Sequence, residues 1–269
     1  MARSMSGESV LQRVVRILEV FDPENVAVSV TDIAERAGLT LSTASRLVDE
    51  LVEHGLLQRD RNRRVRIGVR LWELASRAAP MRGLRDAAMP FLEDLHAIVG
   101  HHVQIGVLDG TEVLFIERLS SPGAVINLTR IAGRLSLHAS SSGLVLLAHA
   151  PSEFQDQIIT GPLPRYTDRT ITDPRALRVF LAEIRRSGVA ICPGFIHDDA
   201  MGIAVPIRDR ADRVVAALSV VVPREERATV LVSILQASAR GVQRELGRPM
   251  SPAEMSPAET ATSQVAPIQ

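Results

Sequence analysis

Ala44, Leu47, Val48, Leu51 and Val52 recur at i, i+3, i+4, i+7 and i+8, the spacing of one buried helical stripe. Ser42, Ser45, Arg46, Asp49 and Glu53 fall on the opposite side, so small hydroxyls and one guanidinium crowd the exposed face near the helix start. What flanks this helix narrows the folds that can hold it. Upstream, Leu11, Val14, Val15, Leu18 and Phe21 predict an amphipathic helix over 9–21, ended by Asp22-Pro23. Thr31 offers the N-cap of a short helix that Gly38 stops, and Thr40 offers the cap of the polar-faced helix itself. Downstream, Gly55 ends that helix, a strand begins at 56–58, and Val65, Arg66 and Ile67 return. Helix, short helix, glycine turn, polar-faced helix and hairpin are the order of a winged helix-turn-helix.

The charge distribution points the same way. The chain balances 31 basic against 31 acidic residues, and every basic one is Arg. Yet Arg59, Arg61, Arg63, Arg64, Arg66 and Arg70 stand together against Asp60 alone. A concentrated basic strip on a neutral chain fits a local phosphate contact. By itself the strip could equally be a solvated hairpin tip. Beside the polar-faced helix it reads as a wing, with Arg61, Arg63 and Arg64 over DNA backbone or minor groove. Thr40, Ser42, Thr43, Ser45 and Arg46 are then the candidate major-groove and phosphate contacts on double-stranded operator DNA.

Beyond residue 68 the pattern changes. Leu71, Trp72, Leu74, Ala75 and Ala78 predict a linker helix over 69–79 that carries the single Trp and ends at Pro80. From Gly83 the pattern is α/β: a helix on Leu84, Ala87, Phe91, Leu95 and Val99, then strands over 103–108 and 111–119 joined at Asp109-Gly110. Residues 124–130 read as a continuation of the sheet, and 140–150 and 152–159 as helices. Asp173-Pro174 opens a capped helix closed by Gly188, strands follow over 203–207 and 214–222, and a long helix runs over 224–246. The expected division is 1–68 for DNA reading, 69–82 for the linker helix, 83–247 for a second domain, and 248–269 for a disordered tail rich in Pro, Ser, Ala and Thr. Hydrophobic residues make up 46% of the chain, enough for full cores, and no apolar run approaches the ~20 residues of a membrane span. The polar first ten residues hold no signal core, so a cytoplasmic protein without membrane attachment is expected.

The residues Val30-Thr31-Asp32-Ile33-Ala34-Glu35-Arg36-Ala37-Gly38-Leu39, with Ser42-Thr43-Ala44-Ser45-Arg46-Leu47, resemble the helix-turn-helix of the IclR family of bacterial regulators. Arg134-Leu135-Ser136-Leu137-His138-Ala139-Ser140-Ser141-Ser142-Gly143 is similar to the family's loop-and-helix signature, and blocks at 184–190, 203–207 and 216–220 match in order. The resemblance implies an α+β chain: winged helix-turn-helix, linker helix and a GAF-like α/β effector-binding domain of six or so strands. It also implies pairing of subunits through the linker helix, Trp72 included, as a homodimer or dimer of dimers. His138, Ser140, Ser142, Met201, Gly202 and Ser219 match the family's ligand loops and are the candidate effector residues. There are departures. Ser136 replaces a Pro, Leu144 a Lys and Gly202 a Cys; an acidic stretch near Cys192 is missing; Val221-Val222 replace Ser-Gly. They imply a more apolar pocket, suited to a small organic or aromatic acid, on a regulator of a catabolic operon whose sign could be repression or activation.

A helix-turn-helix fused to a small-molecule enzyme is the alternative. Cys192 is the single cysteine, which excludes an intramolecular disulfide and a Cys-based zinc cluster, and no base or anion-stabilising partner for a nucleophile can be named from spacing. His101, His102, His138, His149 and His197 match no zinc motif, and there is no Gly-rich phosphate loop. No catalytic residue, metal or cofactor is expected. A purely structural DNA-binding protein, unresponsive to ligand, is a third reading.

Overall fold

The computed structural model describes residues 8–22, 25–77, 82–127, 129 and 131–248, so the expected tail lies outside the described residues apart from Arg248. The chain divides into two compact units, Met1–Pro80 and Met81–Gln269.

In the first unit, α1 (Val10–Glu19) starts at a capping box in which Ser9 Oγ accepts the Gln12 N–H and Gln12 Oε1 accepts the Ser9 N–H. α2 (Val30–Arg36) begins earlier than the sequence suggests. Its N-cap is Ser29, not Thr31: Ser29 is extended, and its hydroxyl takes the Asp32 N–H at 3.1 Å while donating to Asp32 Oδ2 at 2.8 Å. Two hydroxyl residues compete for one cap, and the one with an acceptor three residues on wins. Gly38 follows at φ +62°, turning the chain into α3 (Leu41–Glu53). β1 (Leu57–Arg59) and β2 (Val65–Ile67) pair antiparallel, with Val28 bridging to Val65. Ile17, Ile33, Leu47, Val48, Leu57 and Val65 close the core. α4 (Val69–Arg77) leaves Val69 and Trp72 largely exposed, and 78–81 lie outside the described residues.

The second unit is built on a six-stranded sheet. In chain order it holds α5 (Arg82–Val99), β3 (His102–Asp109), β4 (Glu112–Leu119), β5 (Arg134–Ser136), α6 (Ser141–Ala148), α7 (Ser152–Thr160) and α8 (Pro174–Ser187). β6 (Ala190–Pro193), β7 (Ala200–Arg208), β8 (Val214–Pro223) and α9 (Ala228–Leu246) complete it. The strand order is β5-β4-β3-β8-β7-β6, each neighbour antiparallel to the next. Strand alternation sorts side chains into two layers. Val103, Ile105, Met201, Ile203, Leu218 and Val220 pack with Leu92, Leu95 and Leu235 of α5 and α9. Phe115, Cys192, Ala204 and Ala217 pack with α6 and α8 on the other face. The chain is thus α+β.

Three expectations change. Residues 124–127, expected in a strand, are irregular, and the edge strand is instead β5 within the signature block. Asn127 explains this: its side chain bonds Thr129 two residues on, a local bond that competes with a ladder. β6 is a further strand, too short for an alternation to reveal it. α9 opens at 228 rather than 224, because the Arg224 N–H is taken by the Asp199 carbonyl at 2.9 Å.

Candidate functional site

Two sites emerge, one in each unit. On the first, Thr40 caps α3: its Oγ1 accepts the Thr43 N–H at 3.3 Å and lies 2.8 Å from Thr43 Oγ1 and 3.2 Å from Ser42 Oγ. Thr40 thereby positions the helix start rather than standing free. Ser42 and Arg46 are exposed, whereas Thr43 and Ser45 are half-buried. The Arg46 guanidinium meets Glu50 Oε1 at 2.5 Å, one helical turn on. Arg59 reaches from the hairpin to Asp49 of α3 at 2.7 Å, tying wing to helix. At the wing tip Asp60 Oδ1 accepts the N–H groups of Asn62 and Arg64 at 2.8 and 2.9 Å. That turn holds Arg63 at φ +60° and leaves Arg61, Arg63 and Arg64 exposed. The carboxylate shapes the loop, and the guanidinium groups project from it.

On the second unit, a cavity partly open to solvent lies over the α6 face of the sheet. Its floor follows strand register: Val221 pairs with Gly202, and Gly202 with Cys192. Gln104 of β3, the first turn of α6, Ile126, Asn127 and Thr129, and residues 195–197 form the walls. Among the lining residues the polar groups are amides, hydroxyls, the Cys192 thiol and the His197 imidazole. Burial pushes that thiol up, so it is protonated and unsuited to nucleophilic attack.

Of the six effector candidates, Ser140 and Gly202 line the cavity. The other four do not. Met201 precedes Gly202 on one strand, so alternation sends its side chain into the α5–α9 layer. Ser142 donates to Ser219 Oγ at 2.8 Å, a buried bond that fastens α6 to β8. His138 is buried with Nε2 at 2.9 Å from the Pro164 carbonyl; desolvation outweighs that bond and lowers its pKa. Gln104, Asn127, Thr129, Phe195 and His197 also line the cavity and were not among the effector candidates. The alternation rule alone could have separated Met201 from Gly202, whereas Gln104 needs the β3–β8 register.

Comparison with known proteins agrees with this architecture. Residues 10–61 match the IclR helix-turn-helix domain, and residues 77–244 match the bacterial transcriptional regulator IclR C-terminal family. The chain is 30% identical to the regulator XynR of Escherichia coli over 78% of its length and 84% of that protein. It is 29% identical to the regulator BhcR of Paracoccus denitrificans over 93% of its length and 90% of that protein. Among solved structures, an IclR homologue from Microbacterium hydrocarbonoxydans, complexed with 4-hydroxybenzoate, is 48% identical, with a TM-score of 0.85 over 89% of this chain and 99% of that one. The winged helix with its basic tip, the cavity over an antiparallel sheet and these matches place the chain in the IclR family of DNA-binding transcriptional regulators.

Proposed function

We propose that this regulator controls a catabolic operon in the cytoplasm and that its effector is a small aromatic carboxylic acid. The cavity carries the reading: apolar walls from Ile126, Leu135, Phe195 and Val221 suit a ring, and amides and hydroxyls among them can meet polar substituents. The 4-hydroxybenzoate complex of the Microbacterium homologue supports the same class. The carboxylate belongs at the first turn of α6, beside Ser140 and Ser141, where helix N–H groups lack intrahelical acceptors and the dipole favours an anion.

In this reading residues 1–68 read DNA, 69–82 link, and 83–247 sense the effector. Ser42, Thr43, Ser45 and Arg46 contact groove and phosphate, Thr40 positions them, and Arg61, Arg63 and Arg64 hold the backbone. The exposed Val69 and Trp72 of α4 serve as a pairing surface in a homodimer or dimer of dimers, which places two recognition helices on two half-sites. The acid shifts DNA affinity to the extent that it binds one arrangement of the assembly better than another. No catalysis is assigned; the buried thiol argues against Cys192 as a nucleophile.

The test is binding of purified protein to promoter DNA flanking its own gene, by anisotropy across a salt series, with and without a panel of aromatic and short aliphatic acids. An aromatic acid that shifts a specific, salt-sensitive complex is the expected result. A response confined to short polar acids would overturn the effector class.

A further inference from the structure

We infer that Gln104, Thr129 and Asn127 form a hydroxyl-recognition subsite at the β3 end of the cavity, so that the effector is a para-hydroxylated aromatic acid. This rests on the aromatic-acid reading above and adds what that acid must carry.

The hydrogen bonds fix how the three side chains are turned. The backbone N–H of Thr129 donates to Asn127 Oδ1 at 3.0 Å, which sets the orientation of the Asn127 amide. Its Nδ2 therefore faces Gln104, donating to Gln104 Oε1 at 3.3 Å. The Thr129 hydroxyl lies 2.5 Å from the same Oε1 and 2.8 Å from Asn127 Oδ1, and its single proton serves one of them. From behind, an Arg118 guanidinium N–H donates to the Thr129 carbonyl. Gln104 thus spends its oxygen on the loop, and its Nε2 has no acceptor among the described residues. Gln104 is 2% exposed and Thr129 3%, and both line the cavity. The Nε2 is not a sealed, stranded donor: it keeps access to the cavity, where a ligand acceptor can take the place of water.

A phenolic hydroxyl matches this arrangement in both directions. Its oxygen accepts from Gln104 Nε2, and its proton goes to a lone pair of Thr129 Oγ1. A second carboxylate would face the lone pairs of Gln104 Oε1 and Asn127 Oδ1, and a bare ring edge would leave the amide unmet. Register supplies the spacing. Ser141 packs over Gly202 of β7, while Gln104 sits on β3, two strands away and so roughly 10 Å across the sheet. A ring with a carboxylate at one end and a para hydroxyl at the other bridges that span once the Gln104 side chain reaches inward.

Calorimetric titration of the full-length protein with benzoate, 4-methylbenzoate and 4-hydroxybenzoate tests it. The methyl group matches the hydroxyl in size without its hydrogen bonds. The expected result is that 4-hydroxybenzoate binds about 10- to 100-fold more tightly than 4-methylbenzoate. Gln104→Glu, which turns the donor nitrogen into an acceptor of the same shape, should collapse that ratio, as should Thr129→Val. Equal affinities for the two para-substituted acids in the parent protein would overturn the subsite while leaving the aromatic-acid reading intact, whether or not the variants fold. If none of the three acids bound, both readings would fall.

Discussion

Gly202 lies so close beneath Ser141 that a Cβ built on it would sit 2.8 Å from Ser141 Oγ and 3.3 Å from Ser141 Cβ. The first turn of α6 therefore rests on bare backbone of β7 at the cavity floor. Gly202→Val should force α6 outward, lowering stability by about 1–3 kcal/mol and weakening aromatic-acid binding by at least about tenfold. Gly202→Ala should fall between, because the Ser141 hydroxyl can rotate away. Urea unfolding and calorimetric titration report the two effects separately. Acid affinity in Gly202→Val equal to the parent's would mean that the effector binds elsewhere.

The Arg46–Glu50 pair is exposed, so it contributes little to stability. Arg46→Ala should leave the unfolding midpoint unchanged and lower operator affinity by about 10- to 100-fold, the loss of one base- or phosphate-directed guanidinium. Anisotropy on operator DNA beside a melting curve checks both. Unchanged operator affinity would show that α3 presents another face to DNA.

In the proposed wing contact, Arg63 and Arg64 would meet phosphate without reading sequence. Replacing Arg63 and Arg64 together by Gln should weaken specific and non-specific DNA alike and lower the slope of log K against log salt by about 2, at ~0.9 per phosphate contact. Competition titrations at several salt concentrations measure the slope, and a slope that does not move would leave the wing off the DNA.

Ser142 and Ser219 bond to each other in a site where Ser219 is fully buried. Ser219→Ala should cost about 1–3 kcal/mol by stranding the Ser142 hydroxyl, and the double alanine variant should cost less than the sum of the singles. A double-mutant cycle in urea gives the coupling directly; additive costs would mean that the two hydroxyls act independently.

Acid should loosen the second unit. Burial lowers the pKa of His102, His138 and His149, so each binds protons more weakly folded than unfolded. Their contribution to stability is present above the unfolded value of about 6.5 and is lost as pH falls from there toward the lowered folded values. The melting temperature should decline through that window, and His138→Gln should shallow the decline. A pH-independent melting temperature between pH 7 and 5 would contradict it.

The helix-turn-helix was legible because every signal in it is local: the stripe from Ala44 to Val52, the Thr40 cap, and Gly38 in a left-handed turn. The exception, Ser29 over Thr31, is a contest between two equivalent caps only two residues apart. The cavity was less legible because its walls meet through register. Nothing near Gln104 in sequence shows that it faces residues 127 and 129, and the run Ala124, Val125, Ile126 has strand composition although it is irregular, with Ile126 lining the cavity. Ser142 and Ser219 look like ligand groups as separate hydroxyls; only their pairing across the sheet makes them a fastening.

The cavity draws on β3, on Ile126, Asn127 and Thr129, and on α6, β6, β7 and β8, segments scattered from residue 104 to residue 221. An acid seated there would act as a removable rivet, holding together segments far apart along the chain. Saturation at a hundredfold excess over Kd should stabilise this unit by about 2.7 kcal/mol. A melting curve taken compound by compound will therefore identify the effector before any operator sequence is known.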